Sequence, residues 1–178
     1  NLHLEALSQM DAQMELENGY VKAQTPGLKG GTIVFDFPTV GGTENLMMAA
    51  SLADGETTIE NAAKEPEIVD LANYLNAMGA KVTGAGTGTI RITGVSKMKA
   101  AEHTVIPDRI EIGTLLVAGA ITGGEVTIAQ TQPEHLTAFL AKLKDVGVTL
   151  KTDATNIYLK VDKSLHGVDI TTSPHPGF

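Results

Sequence analysis

The chain has no cysteine and no tryptophan among its 178 residues, and only 4% of it is aromatic. Without cysteine there can be no disulfide, no zinc–thiolate site and no thiol nucleophile within it. With so few rings, the core has to be aliphatic, built from Leu, Ile, Val, Ala and Met. Positive charge is scarce too: 13 Lys and Arg against 21 Asp and Glu leave a formal net charge of -8. That balance, with no basic run, argues against nucleic acid as a partner, because neutralising phosphates takes clustered cations. No apolar stretch approaches the roughly 20 residues of a membrane-spanning helix, and no signal peptide is recognisable. These absences predict a cytoplasmic protein. An initiator Met is also missing before Asn1-Leu2-His3, and Pro174-His175-Pro176-Gly177-Phe178 reads as a loop. Both ends are expected to be cuts in something longer.

What is present suffices for a core. Hydrophobic residues make up 42% of the chain, and 19 glycines suggest many tight turns. The length allows one sizeable domain or two small ones. An internal repeat organises it. Gly55-Glu56-Thr57-Thr58-Ile59 matches Gly124-Glu125-Val126-Thr127-Ile128 at an offset of 69, and Met78 to Val82 matches Val146 to Leu150 at 68. Met10, Ala12 and Met14 precede Met78, Ala80 and Val82 by the same 68. The period is too long for a helical solenoid.

Each copy reads strand, helix, strand, helix, strand, strand. In the first, Gly31 to Phe37 is a short apolar strand and Gly41 to Ala53 a helix. Glu56 to Asn61 alternates like a strand. Pro66 to Met78 places Ile68, Leu71 and Leu75 on one helical face with Pro near the first turn. Ala80 to Thr83 and Thr89 to Gly94 form a hairpin. The second copy repeats this pattern, with Leu136, Phe139, Leu140 and Leu143 on its second helix after Pro133. The polar, basic stretch Ser96 to His103 reads as a linker, which divides the chain into domains 1–103 and 104–178.

Two kinds of segment could carry chemistry. Phe37-Pro38-Thr39-Val40-Gly41-Gly42-Thr43 joins a strand to a helix. Its glycines let backbone N–H groups approach a ligand, and the helix start adds positive potential. Thr39 and Thr43 could add hydroxyl donors. The segment is neither a Walker A loop nor GxGxxG, and a Gly-rich turn with a Thr cap explains it as well as a phosphate cradle does. The second kind is the pair of charged helix starts. Glu65, Glu67 and Asp70 crowd one; Asp108, Arg109 and Glu111 crowd the other. Acidic groups there suit the helix dipole, whereas Arg109 does not. Arg is well suited to bidentate pairing with a carboxylate or phosphate. The five histidines show no metal-ligand spacing and no Ser-His-Asp order. His175, between two prolines, is a weak site candidate, and His3 is uninterpretable without longer context.

These motifs resemble the UDP-N-acetylglucosamine enolpyruvyl transferase family from end to end. The likeness runs through Asn1-Leu2-His3, Gly19-Tyr20-Val21-Lys22-Ala23, Pro38-Thr39-Val40-Gly41, Glu60 to Asp70, Pro107-Asp108-Arg109-Ile110-Glu111 and Pro174 to Phe178. The runs Glu-Pro-Glu-Ile-Val-Asp and Pro-Asp-Arg-Ile-Glu, in that order, are far more specific than the glycine loop. The resemblance implies an α/β (α+β) fold of two domains, each an inside-out barrel of three βαβαββ units, incomplete here. It implies transfer of enolpyruvate from phosphoenolpyruvate to the sugar 3-hydroxyl, the first committed step of peptidoglycan synthesis, and hence roles in cell-wall biogenesis, cell shape and cell division. No cofactor and no metal are implied.

The resemblance also assigns residues. Asn1, Leu2, Phe37, Pro38, Thr39, Val40 and Gly41 match the nucleotide-sugar site. Phe37 stands where family members carry Lys, and Asn1 where Asp is common. Glu65, Glu67, Asp108 and Arg109 match positions lining a cleft between domains, for pairing and closure and not for proton transfer. The catalytic Cys loop, the Lys-Asn pair for phosphoenolpyruvate and the general-base Asp match no residue of this chain, which is therefore expected to be inactive alone and prone to self-association. A non-catalytic α/β interaction module and the related enolpyruvyl shikimate-phosphate synthase are the alternatives. The first would lack those flanking catalytic segments, and the second is not expected to carry the two specific runs.

Overall fold

The computed structural model describes residues 2–177. The chain forms two compact units, Asn1–Thr104 and Val105–Phe178. Asn1 and Phe178 lie outside the described residues.

Unit 1 begins with a helix that the hydrophobic pattern does not announce, α1 (Leu2–Gln9), followed by the hairpin β1 (Gln13–Glu17) and β2 (Tyr20–Gln24). The hairpin forms its own two-stranded antiparallel sheet and is mostly exposed, with Leu16 and Tyr20 each 75% accessible. Then comes one complete βαβαββ copy. It runs β3 (Thr32–Val34), α2 (Val40–Ala50), β4 (Glu56–Glu60), α3 (Pro66–Ala77), β5 (Lys81–Thr83) and β6 (Thr89–Thr93). The sheet order is β3-β4-β6-β5, with β3 parallel to β4 and the rest antiparallel.

Strand alternation decides the face. In β4 Thr57 and Ile59 point inward between exposed Glu56 and Glu60, and they pair with Ile92 and Ile90 of β6. Helix α3 turns Ile68, Ala72 and Leu75 onto that face, and α2 adds Leu46, Met47 and Ala50. These residues form one aliphatic core, as the composition requires.

Unit 2 contains α4 (Arg109–Ile121), β7 (Glu125–Ile128), a 3-10 turn at Pro133–Leu136, α5 (Thr137–Val146), β8 (Thr149–Thr152) and β9 (Ile157–Lys160). Its order β7-β9-β8 repeats β4-β6-β5 of unit 1, so the internal repeat is structural. Two details depart from the sequence reading. Among the described residues no strand precedes α4: β3 is held by a parallel ladder to β4, and Thr104 to Ile106 joins no sheet. The turn after Pro133 is 3-10, so Leu136 enters the core ahead of α5 and not from it. Neither sheet of three or more strands closes into a barrel.

Backbone contact sets tolerances that hydrophobic patterning hides. A Cβ on Gly94 would run into the carbonyl oxygen of Ala53, where the end of β6 crosses the turn after α2. Gly27 has open space around it. Gly94→Ala is therefore expected to cost at least about 2 kcal/mol in urea unfolding, and Gly27→Ala less than about 0.5 kcal/mol. Equal effects would remove the steric account.

Candidate functional site

The glycine loop after β3 is built around the start of α2. Thr39 is extended and caps the helix, its hydroxyl oxygen accepting the Gly42 N–H at 3.3 Å. That bond leaves the hydroxyl hydrogen free to donate. Gly42 is required by packing, since a Cβ there would meet the Thr39 methyl group and the Phe35 ring. Val40 tucks against the core while Phe37 is 57% exposed. Thr43, read as a possible ligand donor, is fully buried, and its oxygen accepts the Ala63 N–H at 3.1 Å. It is a structural residue and is withdrawn from the site.

Helix α1 packs on α2 and brings a second segment to the same place. Leu2 lies against the core, and the His3 ring sits where a side chain at Gly41 would touch it, 3.6 Å away. Asn45, one turn into α2, is 2.9 Å from His3 through its amide nitrogen and the ring Nδ1. The structure thus gathers Thr39, Val40 and Gly41 at the N-terminus of α2, with His3 and Asn45 as members that sequence alone did not supply, while Leu2 lines a small recess with Ile33, Val34 and Phe35 beside β3. Their contact spans 42 positions, and no local period signals it. Asn1 lies outside the described residues. Backbone N–H groups at a helix start, a threonine hydroxyl and an imidazole make a surface suited to phosphate or carbonyl oxygens.

The charged helix starts separate into distinct roles. Glu65 accepts from the Lys64 N–H at 2.8 Å and gives no side-chain cap to α3, whose first position is Pro66. Glu67, in the first turn of α3, raises the proton affinity of Glu44 on α2. The Glu44 carboxyl is held above its ordinary value mainly by burial and then by the Glu67 charge. Asp70 is committed elsewhere, at 2.9 Å from His103. In unit 2 Asp108 caps α4, accepting from Ile110 N–H at 2.7 Å and Glu111 N–H at 3.3 Å. Local capping accounts for Asp108, whereas Arg109 has no such duty. Arg109 instead lines a largely apolar cavity of about 810 Å³, together with Ile110, Val117, Phe139, His175 and Pro176. His175, only a weak candidate from its flanking prolines, is thus placed on a concave surface.

Comparison with known proteins gives the chain relatives over its whole length. Residues 1–178 match the family described as EPSP synthase (3-phosphoshikimate 1-carboxyvinyltransferase). Over all 178 residues the chain is 54% identical to UDP-N-acetylglucosamine 1-carboxyvinyltransferase of Bdellovibrio bacteriovorus and 53% to that of Geotalea uraniireducens. In both cases it spans 43% of the relative's length. Among solved structures, the enolpyruvyl transferase NikO from Streptomyces tendae superposes with a TM-score of 0.85 at 22% identity, covering 100% of this chain and 46% of that one. EPSP synthase from Acinetobacter baumannii gives 0.67 at 22% identity, covering 96% and 41%. At that identity the structural matches speak for the fold alone.

The Glu44 environment makes a testable statement about pH. A carboxyl whose folded value is raised opposes folding wherever it is ionised. The cost is absent well below the ordinary 4.5, grows as pH rises from there through the raised value, and is constant above it. Glu44→Gln should therefore raise the urea midpoint at pH 7, with the gain vanishing as pH falls below 4.5. A gain of the same size at pH 3 would mean packing, not charge, is responsible.

Proposed function

Because the chain belongs to the EPSP synthase (3-phosphoshikimate 1-carboxyvinyltransferase) family over residues 1–178, we propose that it is the central part of a UDP-N-acetylglucosamine enolpyruvyl transferase of peptidoglycan synthesis. The observation that carries this reading is 54% identity along the full chain to a UDP-N-acetylglucosamine 1-carboxyvinyltransferase. The whole enzyme would join the sugar 3-oxygen to C2 of the enolpyruvyl group. That addition takes the hydroxyl proton away, delivers a proton to C3 and forms a tetrahedral intermediate; elimination then removes a proton from C3, breaks the C2–O bond to phosphate and releases inorganic phosphate. The shikimate-phosphate reading has weaker support, since its structural match is at 22% identity.

In this proposal Asn1, Leu2, Phe37, Pro38, Thr39, Val40 and Gly41 bind the nucleotide sugar. The position of Thr39 to Gly41 at the start of α2, with His3 beside Gly41, supports that assignment through geometry suited to an anionic ligand. Phe37 offers no charge to a diphosphate, so the backbone and Thr39 carry more of the contact. Glu65, Glu67, Asp108 and Arg109 would line a cleft and favour its closed form. None is assigned a proton. We place the enzyme in the cytoplasm, where both substrates would be found; the described residues contain no helix long and apolar enough to cross a membrane.

Helix α4 supports the view that more protein belongs here. It buries Ile112, Leu116 and Ala120 in unit 2, yet Ile110 and Ile121 on another face are 61% and 75% exposed. A helix apolar on two sides is built to be covered on both. Alone, the chain should self-associate through such faces. Sedimentation should show oligomers that Ile121→Lys reduces, and a monomer at all concentrations would reject this.

The activity test uses the full-length protein. Phosphoenolpyruvate with UDP-N-acetylglucosamine should release phosphate and consume both substrates, shikimate 3-phosphate should not replace the sugar nucleotide, and the 178-residue chain should release none. Gly41→Val, which places bulk against His3, should raise KM for the sugar nucleotide about tenfold or more with kcat changed less than about threefold. Turnover with shikimate 3-phosphate alone would overturn the reading.

A further inference from the structure

The stretch Ser96 to His103 reads in sequence as a polar, basic linker, and the structure stitches it to unit 1 at successive points. The Val95 N–H bonds to the Ser51 carbonyl at 3.0 Å. Met98 packs into the unit 1 core. The Lys99 N–H bonds to the Met78 carbonyl, at the C-terminal end of α3, at 2.9 Å. The last point is a side chain: His103 Nε2 lies 2.9 Å from Asp70 Oδ1, and its ring stacks on Tyr74 with centroids 5.1 Å apart and planes at 24°. The segment therefore runs back along α3, from Met78 towards Asp70. The His103 and Asp70 side chains are only 19% and 13% exposed, whereas Val105 just beyond is 73% exposed.

We propose that His103, clamped between Asp70 and Tyr74, is the fixed end of the connection between the two units, and that their joint is confined to Thr104–Pro107. This goes beyond the transferase reading and does not rest on it. The carboxylate oxygen 2.9 Å from Nε2 can accept the ring N–H directly, while Tyr74 stacks on the ring face, so the imidazole is held in two directions at once. Asp70 and Tyr74 lie four apart on α3, on adjacent turns of one face, and neither belongs to the Ile68, Ala72 and Leu75 set that anchors the helix. They are therefore available to hold the connector without disturbing the core.

The consequence is mechanical. A loose chain from Ser96 to Pro107 would reach about 40 Å, whereas Thr104 to Pro107 reaches about 14 Å. Asp108 starts the rigid α4, Pro107 has a fixed φ, and Ile106 before it is biased to extended backbone. Any change in the relation of the two units must then be absorbed mainly by the dihedrals of Thr104 and Val105.

Backbone 15N relaxation on the 178-residue chain tests this residue by residue. Order parameters near 0.85 should continue from α3 through Lys99 to His103, then fall below about 0.6 at Thr104 and Val105. In His103→Ala the fall should begin at Ala100, directly after the Lys99 hydrogen bond, while Ile68 and Leu75 keep their shifts. Asp70→Asn, which keeps the side-chain shape and gives up the charge, should loosen Ala100 to His103 by a smaller amount, and it serves should the alanine variant not fold. Three results would overturn the proposal: a parent chain already mobile from Ser96, Thr104 and Val105 as rigid as α3, or both variants leaving Ala100 to His103 unchanged.

Discussion

The fold of unit 1 depends on one buried hydrogen bond, from the Ala63 N–H to the Thr43 oxygen at 3.1 Å. It ties the connection between β4 and α3 to the side of α2, with Thr43, Ala62 and Ala63 all fully buried. A backbone N–H in such a place has no water to turn to, and leaving it unpaired would cost about 1–3 kcal/mol. The neighbouring groups are provided for in the same way. Asn61, at a positive φ of 54, donates its side-chain amide to the Phe35 carbonyl, and the Ala62 N–H reaches Gly88. The Lys64 N–H is taken by Glu65. Once these donors are satisfied α3 can start at Pro66 without a side-chain cap, and both ends of the candidate site inherit their position from α2.

That accounting changes how the specific run around Glu65 is understood. Asn61-Ala62-Ala63-Lys64-Glu65-Pro66 is distinctive because it crosses the core as irregular backbone, where small side chains and local acceptors are obligatory. Asp70 is explained by His103. The charge of Glu67 is felt by Glu44 on α2, and Asp108 is explained by capping α4.

Much of the architecture was legible in residue patterns because it is local. Alternation in Glu56 to Glu60, the spacing of Ile68 and Leu75, and the glycine-bounded hairpins are all set within a few residues of one another. The repeat extended this to topology, since β4-β6-β5 and β7-β9-β8 have the same order. Illegible parts share a different physics. Helix α1 has few buried residues of its own, only Ala6, so its pattern is weak. The roles of Thr43, His3 and His103 are set by partners 20, 42 and 33 positions away, respectively. No propensity or period encodes such pairs. The first strand expected in unit 2 is likewise a matter of partners: β3 is held by its parallel ladder to β4, and among the described residues Thr104 to Ile106, of the same composition as β3, forms no such ladder.

Helix α4 shows how far the local view can mislead about stability. Its interior glycines, Gly113 and Gly119, would each weaken an isolated helix by about 1 kcal/mol relative to alanine. A Cβ on Gly119 would collide with Val126, so there the helix gives up propensity to bring β7 in; one on Gly113 would meet the Phe139 ring at 3.4 Å, an ordinary contact that does not by itself require glycine. On another side the helix keeps Ile110, Val117 and Ile121 where water would favour polar residues. A helix that is weak alone, closely packed on one face and apolar on another, takes its stability from tertiary contact and not from its own hydrogen bonds. Its stability therefore rests on the residues it buries in unit 2, Ile112, Leu116 and Ala120.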